Sequence, residues 1–157
     1  MTAQPLKKGS EDFTNTSLNR DSIEPVAVIP DGEILHQGVC KTGDENKFSK
    51  SRGHPVFPVS VPSKNISLSV GVLGPQTKTS NHRHAYESLI YILEGSGYTV
   101  IEGKRYDWKA GDAIYVAPWN WHQHGAENEE ARYITATNLP LLTRLGQTVL
   151  RQEEKSS

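Results

Sequence analysis

The chain has 157 residues, 35% of them hydrophobic, and a formal net charge of -1 at neutral pH. That length allows one domain with a core of its own, and the near-neutral charge gives no electrostatic case for nucleic acid or an anionic membrane as partner. No apolar run approaches the ~18 residues of a membrane span, no apolar signal region follows Met1, and the single Cys40 excludes an internal disulfide or a cysteine zinc site; a cytoplasmic protein is expected.

Residues 1–20 are polar, with few large apolar side chains, and read as a flexible arm. A barrel domain is expected over 21–146 and a C-terminal tail over 147–157. Within the barrel, EPVAVIP and EILHQG look like short strands bounded by Pro25, Pro30 and Gly38, and Lys41 to Lys50 is charged and loop-like. The stretch SRGHPVFPVSVPSKN carries three prolines, which exclude a helix and allow at most an edge strand. Beyond Asn65, ISLSVGVLGP and GYTVIEGKRYDW alternate apolar and polar residues, with Gly103 at a hairpin turn. AIYVAP and ARYITATNLP add strands rich in β-branched and aromatic residues. One short C-terminal helix is expected in PLLTRLGQTVLRQEE, weakened by Gly146. Many short strands with glycine turns between them make the fold all-β, a sandwich or a small barrel.

Four of the six histidines fall into two H-x-H pairs, His82/His84 and His122/His124. In a strand, residues i and i+2 share a face, so each pair presents two imidazoles together. With both pairs turned inward, up to four imidazoles converge on one metal ion, and zinc, iron, copper and nickel all accept such ligands. His36 and His54 stand alone and read as surface or loop histidines.

HRHAYESLIYILEGSG resembles the first motif of the cupin superfamily, G-x5-H-x-H-x3,4-E-x6-G, and GDAIYVAPWNWH resembles the second, G-x5-P-x-G-x2-H-x3-N. The resemblance covers residues 66–140. It implies a single cupin-type β-barrel, a double-sheet jelly roll of the cupin 2 type, with His82, His84 and His122 as metal ligands and His124 as an additional or supporting group. Three departures stand out. Gly74 lies two residues further from His82 than the motif has it. Ala117, Trp119 and Ala126 replace the second motif's Pro, Gly and Asn. Ser88 stands where the motif has its glutamate ligand, and Glu87, one residue early, points to the opposite face of a regular strand.

Three neutral imidazoles would leave a divalent ion its full charge and open positions for a bidentate anion and O2, the all-histidine counterpart of the two-histidine, one-carboxylate oxygenase site. Among cupins this looks like the gentisate 1,2-dioxygenase group, whose first motif also lacks the glutamate. The resemblance implies a non-heme dioxygenase, with Fe(II) foremost and zinc, manganese, nickel or copper as alternatives. Its substrate would be a small aromatic or oxygenated acid cleaved at a C–C bond. A metal-assisted isomerase or lyase and a non-catalytic binding cupin are the competing readings on the same fold. By parity Tyr86 and Ser88 share the histidine face; Trp119 and Trp121 flank His122 as candidate pocket walls, and Arg132 is a candidate carboxylate clamp. Leu89, Tyr91 and Leu93 form an apolar face opposite the histidines, so a homodimer is expected.

Overall fold

The computed structural model describes residues 30–41 and 47–154. The expected arm over 1–20 and the expected strand EPVAVIP up to residue 29 lie outside these residues. EILHQG is not a strand: the chain bends through it and enters a single 3-10 turn at Val39–Lys41. Nor is Lys41 to Lys50 wholly loop, because Lys47–Arg52 forms a short α-helix, α1. At six residues it is too short to show an apolar period. It ends before Pro55, as the prolines demand.

Ten strands follow. They are β1 (Val56–Pro58), β2 (Ser67–Leu73), β3 (His82–His84), β4 (Ser88–Glu94), β5 (Ser96–Ile101), β6 (Lys104–Lys109), β7 (Ala113–Val116), β8 (His122–Ala126), β9 (Ala131–Thr137) and β10 (Arg151–Glu153). A helix of one and a half turns, α2 (Leu139–Arg144), separates the last two. The strands make two five-stranded antiparallel sheets, in the orders β1-β2-β9-β4-β7 and β10-β3-β8-β5-β6. This is the all-β double-sheet barrel expected from the pattern of short alternating strands. β1, the proline-bounded strand, is an edge strand as expected.

Turn chemistry fixes the registers. Between β5 and β6, Glu102 and Gly103 both have positive φ, 47° and 78°, the conformation of a two-residue hairpin whose twist matches its strands. The C-terminal helix stops early because Gly146 adopts φ 83° and the N–H groups of Gly146 and Gln147 return to the carbonyls of Thr143 and Leu142. That pair of bonds is a Schellman end. The chain is thereby freed to return as β10, paired along β3 at Arg151↔His84, Gln152↔Arg83 and Glu153↔His82. Helical periodicity extended through this segment hides the strand.

Each inward face is polar at one end and apolar at the other. Along β4 it runs Ser88, Ile90, Ile92; along β9, Thr137, Thr135, Tyr133, Ala131; along β8, His122, His124, Ala126. The apolar ends meet in one cluster of Leu73, Ile90, Ile92, Trp108, Val116, Ala126, Ala131 and Tyr133. The polar ends surround a cavity of about 360 Å³. One end of the barrel is thus a packed core and the other an open site. The outward face of the first sheet leaves Leu89, Tyr91, Leu93 and Tyr115 exposed. No helix among the described residues is long and apolar enough to cross a membrane.

Ile92 is 1% exposed and Leu89 60%. Ile92→Ala should therefore cost about 2–5 kcal/mol in denaturant unfolding, and Leu89→Ala under about 0.5 kcal/mol if water covers that face. An equal cost at Leu89 would show that another layer packs on it.

Candidate metal centre

His82 and His84 sit on β3 and His122 opens β8, directly opposite His82 in the only residue pair that joins these strands. All three are buried, and one ring nitrogen of each lies within 4.8 Å of the others. The rings of His82 and His122 are 4.1 Å apart and those of His84 and His122 4.6 Å.

Each ring is held by the same device. His82 Nδ1 donates to the Ser80 carbonyl at 2.9 Å, His84 Nδ1 to the Tyr86 carbonyl at 2.6 Å and His122 Nδ1 to the Asn120 carbonyl at 2.8 Å. A carbonyl can only accept, so in each ring the proton resides on Nδ1 and Nε2 keeps its lone pair. Three Nε2 lone pairs without a proton are a metal-ligand set. Burial, reinforced by the neighbouring His122, pushes the His82 imidazole down to about 2 and His84 to about 3; burial lowers His122 as well. All three are neutral at physiological pH, the state that coordination requires.

His124 differs. It points into the barrel with its Nδ1 2.9 Å from the Thr99 hydroxyl, which also accepts the Trp108 indole N–H at 3.0 Å. A hydroxyl can donate as well as accept, so His124 is not locked with its Nε2 free. Its ring lies 5.3 Å from His122, and burial holds it well below the usual imidazole range.

Ser88 is buried and lines the cavity, whereas the Glu87 side chain is exposed and accepts from the Tyr115 hydroxyl at 3.2 Å. Strand parity runs unbroken from His82 to Ile92. No bulge turns Glu87 inward, and among the described residues no carboxylate joins the three histidines. Tyr86 also faces the cavity, its ring stacked on His84 at 3.9 Å and 7°.

The remaining candidates lie elsewhere. Trp119 and Trp121 are outside the barrel, under the Arg83 guanidinium at 5.7 and 4.7 Å from their centroids. Arg132 is on the outer surface, paired with Glu130 at 3.0 Å and Glu94 at 3.5 Å. The structure supplies other groups in their place. Arg52 from α1, His54, Tyr133 from β9 and Arg151 from β10 all line the cavity. His54, expected at the surface, is half-buried, with Nδ1 donating to the Arg52 carbonyl and Nε2 accepting from the Tyr133 hydroxyl. Burial and then Arg151 lower the Arg52 guanidinium from its usual value. Parity within β9 could have turned Tyr133 inward; nothing local marks Arg52, His54 or Arg151.

Residues 69–137 match the family model described as the cupin domain. The chain is 31% identical over 81 residues to a 5-aminosalicylate 1,2-dioxygenase of Comamonas sp, an alignment covering 52% of this chain and 22% of that protein. With a gentisate 1,2-dioxygenase of Streptomyces sp it shares 25% over 117 residues, 73% of this chain and 32% of that protein. The chain thus spans about a fifth to a third of these curated relatives. Among solved structures, a salicylate 1,2-dioxygenase from Pseudoaminobacter salicylatoxidans superposes with TM-score 0.62 at 17% identity, covering 92% of this chain and 36% of that one. A cupin 2 conserved barrel domain protein from Rhodopseudomonas palustris gives 0.54 at 16%, covering 64% and 66%. The stretch that matches the cupin domain, residues 69–137, is the part of the barrel that carries the three clustered histidines.

Two outcomes are expected. His82→Ala, His84→Ala and His122→Ala should each lose most bound metal in elemental analysis of the purified protein, while His124→Ala keeps part of it. The second concerns pH. Unfolded imidazoles take up protons near pH 6.5, whereas His82 and His84 resist until about 2 and 3. Stability of the metal-free protein is therefore present above pH ~6.5 and lost progressively as pH falls below it. Its melting temperature should drop between about pH 7 and 5, with a shallower slope in His84→Gln; equal slopes would contradict the buried, neutral assignment.

Proposed function

We propose that this cupin barrel is a non-heme dioxygenase that binds Fe(II) through His82, His84 and His122 and cleaves a C–C bond in a small aromatic hydroxy acid. The observation that carries the reading is charge. Three neutral imidazoles stand without a carboxylate, Ser88 replacing it, and two guanidiniums, Arg52 and Arg151, face the same cavity. Among the described residues no carboxylate lies within ion-pair distance of Arg52, and Arg151 has one, Glu153, at 2.6 Å. Two half-buried cations that share one carboxylate leave an excess of positive charge, which calls for an anionic ligand. The relatives' names, which speak of gentisate and aminosalicylate, support the same class.

A divalent ion in this site supplies Lewis-acid charge and open positions for a bidentate anion and O2. The protein's own groups do the rest. Arg52 and Arg151 orient a carboxylate. Phe48, Val56, Ile90 and Leu139 give the cavity apolar walls for a flat ring. Holding the ligand in one orientation beside the reaction centre lowers the barrier through proximity. We place a second copy of the chain on the exposed Leu89, Tyr91 and Leu93 face, as a homodimer. A metal-assisted isomerase or lyase remains the second reading, favoured by Tyr86, a buried phenol stacked on His84 that can move a proton.

Protein purified without oxygen and loaded with Fe(II) should consume O2 with some member of a panel of dihydroxybenzoates, salicylates and diketones. Arg151→Gln and Arg52→Gln should each raise KM for carboxylate substrates by ~10-fold or more, the loss of one charged hydrogen bond, while metal content holds. Turnover without oxygen uptake would select the isomerase or lyase instead.

A further inference from the structure

His54 and Tyr133 lie outside the three-histidine set, yet they form a directed hydrogen-bond chain in the cavity wall. His54 Nδ1 sits 3.0 Å from the Arg52 carbonyl, which can only accept, so Nδ1 carries the ring proton. His54 Nε2 must then be a lone pair, and the Tyr133 hydroxyl, 2.7 Å away, donates its only proton to it. What Tyr133 Oη has left are acceptor lone pairs. Tyr133 is 7% exposed and lines the cavity together with the three histidines, whereas His54 is only half-buried and nearer to water. The position of the ring is built into the sheet. Across the strand pair from Tyr133 stands Gly71, and a Cβ there would fall 2.2 Å from Tyr133 Cζ. No side chain other than hydrogen leaves the ring this path.

We propose that Tyr133 and His54 form a proton relay that removes a hydroxyl proton from the ligand seated in the cavity. This rests on the reading of the ligand as a hydroxy acid. In the step, the ligand O–H bond breaks and its proton bonds to Tyr133 Oη. The proton already on Tyr133 passes to His54 Nε2, and the ligand is left as an oxyanion. His54, now an imidazolium, returns its proton to water. Electrons do not change hands.

Charged and titratable groups surround the pair on every side. Burial raises the Tyr133 hydroxyl, with Arg151 and Arg52 opposing it, and burial lowers His54, with Arg151 and Arg52 adding to the effect. Those two cations stabilise the oxyanion that forms and disfavour a proton that lingers on His54. His124, with its ring 6.3 Å from Tyr133, is neutral, Tyr86 is a phenol stacked on His84, and Glu153 is engaged by Arg151.

The test follows proton transfer itself. Full-length protein loaded with Fe(II) is mixed without oxygen with 5-nitrosalicylate, whose visible absorption reports ionisation of its phenol. In Tyr133→Phe and His54→Gln, matched to the wild type in metal content, the phenolate should appear about 100-fold more slowly near neutral pH. Raising the pH should restore the rate as hydroxide substitutes for the relay. Phenolate formation at the wild-type rate in both variants would overturn the relay and leave the proposed activity standing. Failure of the wild type to bind the probe at all would overturn the activity, and the relay with it.

Discussion

Three hydrogen bonds from imidazole Nδ1 to a main-chain carbonyl two residues away govern the chemistry of this barrel. Each acceptor belongs to the same turn of chain as its histidine: Ser80 for His82, Tyr86 for His84, Asn120 for His122. The bond orients the ring, selects the tautomer and satisfies the buried donor at once. Without it, a buried imidazole can present either nitrogen, and a metal would have to displace a proton to bind. Burial adds the second condition by keeping the rings neutral. The site is thus ready for an ion before one arrives, with rotamers and protonation set by the strands rather than by the ligand.

That readiness depends on how the barrel divides its interior. Because β2, β4, β8 and β9 each turn polar at the same end, the site rests on a floor of close-packed side chains instead of replacing the core. Ile90 and Tyr133 belong to both regions, lining the cavity and packing in the cluster. The polar end is itself paired: Ser67 and Thr137 hydrogen-bond across β2 and β9 at 2.8 Å, and no buried side-chain polar atom among the described residues lacks a partner. The cations that line the cavity come from another source. Arg52 and Arg151 belong to α1 and β10, the segments that flank the barrel's continuous run of strands. The barrel supplies the three clustered histidines, and the flanking segments supply the two arginines of the cavity.

This division explains what could be read from the residues alone. Strand parity placed His82, His84, Tyr86 and Ser88 on one face, and Gly103 marked the β5–β6 hairpin, because both are local consequences of backbone geometry. The cupin resemblance brought His122 to the same point. Arg52, His54 and Arg151 escaped because their positions follow from tertiary pairing. Arg151 faces the cavity only because β10 aligns with β3, and a three-residue strand after a glycine-stopped helix has no period to detect. A lone histidine such as His54 acquires meaning only from the distant Tyr133 that bonds it. Arg132 shows the converse: its position in β9 alternates with Tyr133, and that parity sends it to the surface.

Trp119 shows how the reverse side of the site is braced. It stands where the second cupin motif has glycine and adopts φ 63°, a left-handed conformation that costs a residue with a Cβ about 1–2 kcal/mol. The loop keeps the turn, since its N–H donates to the His84 carbonyl at 2.7 Å and ties the approach to His122 onto the neighbouring ligand strand. Arg83, projecting outward between His82 and His84, covers Trp119 and Trp121 and also reaches Gln152 of β10 at 2.8 Å. Each such cation–π contact at an exposed site contributes about 0.5–1 kcal/mol, enough together to offset the strained turn. A single outward arginine therefore bridges the two chain segments that flank β3. One of them delivers His122 to the metal site and the other delivers Arg151 to the cavity, so the alternation of this strand serves ligation on one face and bracing on the other.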